Sequence, residues 1–118
     1  MNKNTKIYIA GHKGMVGSAI WRVLEKKGYI NLIGKKSSEL DLRNQKAVMN
    51  FYASEKIDVV IDAAAKVGGI LANSDFPYQF LMENLQIQNN LIDGALNIGI
   101  NKFIFLGSSC IYPKLAQQ

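Results

Sequence analysis

The stretch Ile7 to Gly17, IYIAGHKGMVG, constrains this chain more than any other. Ile7-Tyr8-Ile9-Ala10 is a short apolar run that reads as a buried strand. It breaks at Gly11, Gly14 and Gly17 and continues into SAIWRVLEKKG, which has helical periodicity. A strand, a glycine-rich turn and a helix in that order form a phosphate-binding element. Gly11 lets the chain turn as it leaves the strand. Gly14, without a Cβ, lets the backbone approach a pyrophosphate, and Gly17 lets the helix pack closely. The residues between them, His12, Lys13, Met15 and Val16, complete the candidate dinucleotide contacts. His12, the single histidine, reads as a residue that orders the turn rather than one that shuttles protons.

The rest of the chain repeats the alternation. The first helix is expected over Met15–Lys27, with Val16, Ile20, Val23 and Leu24 as its buried face, Trp21 packing beside it, and Gly28 ending it. A second strand follows over Ile30–Ile33. Asn44 is placed to cap a helix carrying Val48, Phe51 and Tyr52. Asp58–Asp62 (DVVID) is almost continuously apolar, as a buried parallel strand should be. Pro77 fits the first turn of a long helix ending at Gly99, and Lys102–Leu106 (KFIFL) forms a fourth strand. The pattern predicts an α/β fold: the N-terminal half of a Rossmann-like doubly wound parallel sheet, four strands in the order 3-2-1-4. Residues 1–118 then form one incomplete dinucleotide-binding domain.

Composition narrows the function. Fourteen basic against nine acidic residues give a net charge of +5, but the lysines are scattered and not interleaved with aromatics. Nucleic-acid binding is therefore not expected, and a phosphate-rich small molecule accounts for the excess. MNKNTK does not open a signal peptide, no run is long enough to span a membrane, and one cysteine, Cys110, excludes an internal disulfide. A cytoplasmic setting is expected, with no metal.

The end of the second strand distinguishes the two dinucleotides. An NAD site usually carries an acid about 20 residues past the glycines. Here Lys35 and Lys36 stand in its place, with Lys13 in the turn, and cations there suit a 2′-phosphate. NADP(H) is thus expected over NAD, unless all three are ordinary solvated lysines. Asp41 and Leu42 lie where such folds touch the adenine, although Asp41 could equally cap the following helix. Ala63, Ala64 and Ala65 end the third strand with small side chains that suit either a cofactor lying on the backbone or close helix packing. GSSCIYPK puts Ser108, Ser109, Cys110, Tyr112 and Lys114 at the C-terminal end of the fourth strand, where open α/β sheets bind ligands. A serine hydroxyl there can serve carbonyl reduction. Cys110 reads either as a small buried hydrophobe or as an acid/base with a lowered pKa.

GHKGMVGSAI, AAAKVGGI and FLGSSCIYPK together resemble the GDP-L-fucose synthase family of the extended short-chain dehydrogenase/reductases, whose superfamily also carries the G-x-x-G-x-x-G spacing. The resemblance runs from about Lys6 to Gln118. It implies an NADPH-dependent epimerase/reductase that epimerises C3 and C5 of GDP-4-keto-6-deoxy-mannose and then reduces C4. It further implies that Ser108 and Cys110 are catalytic and that Ser109 contacts substrate. Gly11, Gly14 and Gly17 would form the cofactor turn, and Lys13 and Lys35 the 2′-phosphate site. Asn84 aligns with an asparagine common in extended members. The family's catalytic Tyr-x-x-x-Lys falls beyond Gln118, as do its second epimerisation residue and its substrate domain. The chain is therefore expected to be inactive alone, with an open sheet edge, and to belong to a homodimer joined through the Pro77–Ile98 helix when whole. Two other readings fit the same residues: a non-catalytic NADP(H)-binding sensor or scaffold, or another nucleotide-sugar epimerase/reductase of the superfamily.

Overall fold

A computed structural model describes residues 1–64 and 77–106. In chain order the elements are β1 (Ile7–Ala10), α1 (Met15–Lys26), β2 (Leu32–Ile33), α2 (Gln45–Glu55), β3 (Val59–Asp62), α3 (Pro77–Ile98) and β4 (Lys102–Phe105). The four strands form one parallel sheet in the order β2-β1-β3-β4. Ile7 pairs with both Leu32 and Val59, and Ala10 pairs with Asp62.

The expected alternation of strands and helices holds, but the strand order 3-2-1-4 does not. β3 lies on the far side of β1 from β2. All four β3 residues are buried, so both faces and both edges need neighbours, which an edge position cannot supply. β2 has only two residues, both half-buried, and takes the edge. The switch point therefore falls between β1 and β3 rather than between strands one and four.

Reversing the winding direction puts helices on opposite faces, because parallel crossovers keep one hand. Side chains alternate across the sheet accordingly. Ile7, Ile9, Val59 and Ile61 face α1 and pack with Ile20, Trp21 and Leu24. Tyr8, Ala10 and Val60 face α2 and α3, packing with Val48, Phe51, Tyr52, Leu91 and Ala95. The Tyr8 and Phe51 rings meet edge-on at 4.7 Å.

The α1 stripe differs from the expected one by a small rotation. Gly17, Ile20, Trp21 and Leu24 face the sheet at i, i+3, i+4 and i+7, which leaves Val16 and Val23 on the exposed flank. Gly28, at φ +93°, ends α1, and the Asn44 side chain caps α2 by accepting from the Ala47 N–H at 3.0 Å. On α3, Leu91 and Ala95 are buried, while Leu81, Met82, Leu85, Ile92 and Leu96 are exposed. β4 has a single partner among the described residues and exposes Lys102 and Phe105.

Candidate functional site

The glycine turn leaves β1 at the switch point and meets the end of β3. Gly11 sits at φ +77°, and a Cβ on it would lie 2.5 Å from the Ala63 carbonyl oxygen and 2.8 Å from Ala64 Cα. Only glycine satisfies both the backbone angle and this approach. Ala63 N–H donates to the Ala10 carbonyl at 2.9 Å, and Ala64 N–H donates to Asp62 Oδ1 at 3.0 Å, which fixes the turn after β3. Ala63 and Ala64 thus form the wall facing Gly11; Ala65 lies outside the described residues.

The floor of the site is the start of α1. Gly14 is the N-cap, no side chain caps the helix, and its first turn carries no acid. Around Gly14, a Cβ would meet only the Gly11 carbonyl, at an ordinary 3.4 Å. The close contact of Gly17 is likewise with the Gly11 carbonyl, so the turn folds on itself. Met15 and Val16 are exposed beside it. Uncapped N–H groups with open space in front suit an anion, so the residues present fit a dinucleotide pyrophosphate.

The basic residues divide. Lys13 and Lys36 are exposed, and Lys35 is half-buried with its Nζ 5.9 Å from the centre of the Phe51 ring. His12 lies between Trp21, at 5.7 Å between ring centres, and the backbone of Gly34. Its pKa is lowered, first by burial and then by Lys13, with Glu39 opposing and Lys36 adding, so the imidazole is neutral at pH 7. The end of β2 is not free of acids as the sequence suggests. Glu39 accepts the Lys36 N–H at 2.8 Å, and that bond above all holds its carboxyl below the usual range.

Asp41 does not cap α2, since Asn44 does. Its carboxylate accepts from the Arg43 N–H at 3.0 Å and from the guanidinium at 3.1 and 3.2 Å, and these bonds lower its pKa. Leu42 is tied to α3 by Asn90, whose Nδ2 donates to the Leu42 carbonyl at 2.9 Å. Asn90 and Glu39 were not singled out by sequence reasoning. A polar residue between Ile87 and Leu91 on the packed side of α3 was the available signal for Asn90. Asn84 is half-buried on the same helix. Ser108, Ser109, Cys110, Tyr112 and Lys114 lie outside the described residues.

One Tyr-x-x-x-Lys spacing does occur, Tyr52-Ala53-Ser54-Glu55-Lys56. It is structural. Tyr52 is fully buried, its Oη donates to the Leu91 carbonyl at 3.0 Å, and burial raises its pKa. Lys56 is the α2 C-cap at φ +55°.

Residues 7–118 match the family described as NAD dependent epimerase/dehydratase. The chain belongs to this family. Among curated relatives, a putative GDP-L-fucose synthase 2 of Arabidopsis thaliana is 54% identical over 118 residues, covering 100% of this chain and 36% of its own. A GDP-L-fucose synthase of Escherichia coli is 53% identical over 113 residues, 96% of this chain and 35% of that protein. The chain thus spans about a third of the length of the curated relatives it matches. Among solved structures, a GDP-D-glycero-L-gluco-heptose synthase from Campylobacter jejuni in the presence of NADPH has a TM-score of 0.86 at 44% identity, over 92% of this chain and 32% of that one. A GDP-mannoheptose C4 reductase from the same organism, with NADP bound, has a TM-score of 0.79 at 40% identity, over the same shares. Among the described residues no helix is long and apolar enough to cross a membrane.

Proposed function

We propose that this chain is the NADP(H)-binding part of a GDP-sugar epimerase/reductase of the GDP-L-fucose synthase type. One observation carries the reading: a glycine turn closed against the end of β3, in a chain more than half identical to GDP-L-fucose synthases along its length. The α1 N-terminus and Gly14 hold the pyrophosphate, and Lys13, with Lys35 and Lys36, meets the 2′-phosphate. Asp41 and Leu42 border the adenine. Ala63 and Ala64 keep the wall thin enough for the dinucleotide to lie on the backbone.

When bound, NADPH supplies the hydride that reduces the C4 carbonyl of the keto-sugar. Ser108 donates a hydrogen bond to that carbonyl oxygen and so favours the charge that develops on it. Cys110 removes or returns a proton on the sugar carbon during epimerisation. Ser109 contacts the sugar. Tyr52 does not supply the proton that completes the C4 alcohol, because it is buried and bonded in the core. On this reading the 118 residues bind cofactor without turnover on their own. The exposed row Leu81, Leu85, Ile92 and Leu96 on α3 supports dimerisation of the whole protein.

Titration with NADPH and with NADH tests the reading. Saturable binding that prefers NADPH and weakens in Lys13→Ala is expected. Binding of neither by a folded chain would refute it. A purely sensory module predicts the same binding, but no restored keto-sugar reduction when the remaining part of the enzyme is added.

A further inference from the structure

Gly34, just past β2, has φ in the ordinary range, yet a Cβ on it would lie 2.5 Å from His12 Cδ2 and 2.7 Å from His12 Nδ1. The His12 ring therefore occupies the space a side chain at position 34 would fill. Its other neighbour is Trp21 of α1, the single tryptophan of the chain, with ring planes tilted 43°. The ring spans the gap between the glycine turn, which carries Lys13, and the end of β2, which carries Lys35 and Lys36.

We infer that His12 is a positioning residue for 2′-phosphate selectivity: its ring, wedged between Trp21 and Gly34, sets the separation of Lys13 from Lys36. The inference rests on the NADP(H) reading above and concerns how selectivity is held, not which residues touch the phosphate. A charged contact falls off within an ångström or two of its best geometry, so loosening the wedge penalises the dinucleotide that has the phosphate and spares the one that lacks it. Gly34 is then glycine because of the ring. A side chain there would expel His12 and spread the two cations.

The groups facing the ring are Lys13 from the turn and Lys36 and Glu39 from the loop after β2. The packing itself is read without cofactor. A protonated imidazole quenches an indole it touches, so Trp21 emission should fall in one acid step, with its midpoint below the usual histidine range. That step should vanish in His12→Asn.

Selectivity is read from the ratio of NADH to NADPH dissociation constants in the full chain. His12→Ala and Gly34→Ala should each lower the ratio about tenfold, the loss of roughly one charge-assisted contact. His12→Asn, a neutral planar replacement, should retain most of it. Gly34→Ala added to His12→Ala should cost no further selectivity, because the space is already vacant. An unchanged ratio in His12→Ala, or full additivity of the two substitutions, overturns the wedge while leaving NADPH binding by the parent chain intact. A parent chain that binds neither dinucleotide overturns both this inference and the functional reading beneath it.

Discussion

Among the described residues Asp62 is the one carboxylate the fold buries completely, and replacing it gives a sharp test of the packing at the switch point. Oδ1 accepts the Ala64 N–H, but Oδ2 and both amide atoms of Gln88 are buried without a hydrogen-bond partner among the described residues. Burial pushes the carboxyl up from 3.8 to about 6, only partly offset by the Ala64 N–H. The folded-state pKa is raised, so ionisation is harder in the fold than in the unfolded chain. Stability contributed by this group is therefore greatest when it is protonated, falls as pH rises from about 4 to about 6, and stays low above that. The displacement corresponds to about 3 kcal/mol at pH 7, at roughly 1.4 kcal/mol per pH unit. Asp62→Asn keeps the acceptor for Ala64 and places a neutral NH₂ beside Gln88, whose amide can turn its oxygen toward it. Urea unfolding across pH 4–8 is the assay. The two proteins should match near pH 4 and diverge until the variant is more stable by up to about 3 kcal/mol at pH 7. Parallel curves across this range would refute the argument, because they would mean Asp62 ionises as freely folded as unfolded.

Other expectations follow from single residues. Lys56→Gly should raise stability by about 0.5–1 kcal/mol in urea melts, since the α2 C-cap sits at φ +55° and glycine adopts that angle without strain. Tyr52→Phe should cost about 1 kcal/mol of stability through loss of the bond to the Leu91 carbonyl, with NADPH affinity unchanged. A lost affinity there would contradict the structural assignment of Tyr52–Lys56. Gly11→Ala should abolish dinucleotide binding and destabilise by about 2 kcal/mol or more, measured by calorimetry and thermal melting, because both the backbone angle and the Ala63 carbonyl exclude a side chain.

Much of the fold was legible because local signals and tertiary placement agree. The cap at Asn44, the stop at Gly28 and the apolar run of β3 each lie where residue chemistry puts them. The strand order was not legible. Nothing local to DVVID distinguishes a strand beside β1 from one beyond β2; the pairing of β3 with β1 is a contact between segments some fifty residues apart. The shift of the α1 stripe has the same character. Val16 and Trp21 are both plausible core residues by type, and only the contact of Gly17 with the Gly11 carbonyl fixes which side of the helix faces inward.

The site shows the limit most clearly in its glycines. The spacing of Gly11, Gly14 and Gly17 announces a phosphate turn, yet the strictest requirement at Gly11 comes from Ala63, some fifty residues away in sequence. Gly34 belongs to no motif and reads as the plain end of a strand. Its reason is the His12 ring, which sequence reasoning placed in the turn without a neighbour. A glycine pattern can therefore point to a class of ligand, while the positions proposed to set selectivity depend on contacts between elements. Glu39 makes the same point with charge: it accepts the Lys36 N–H and acts electrostatically on Lys35, Lys36 and His12, so the local field is not that of the lysines alone. On the proposed reading a 2′-phosphate is favoured there only if Lys13 and Lys36 are held close enough to outweigh that carboxylate, which is the condition the inferred His12 wedge would supply.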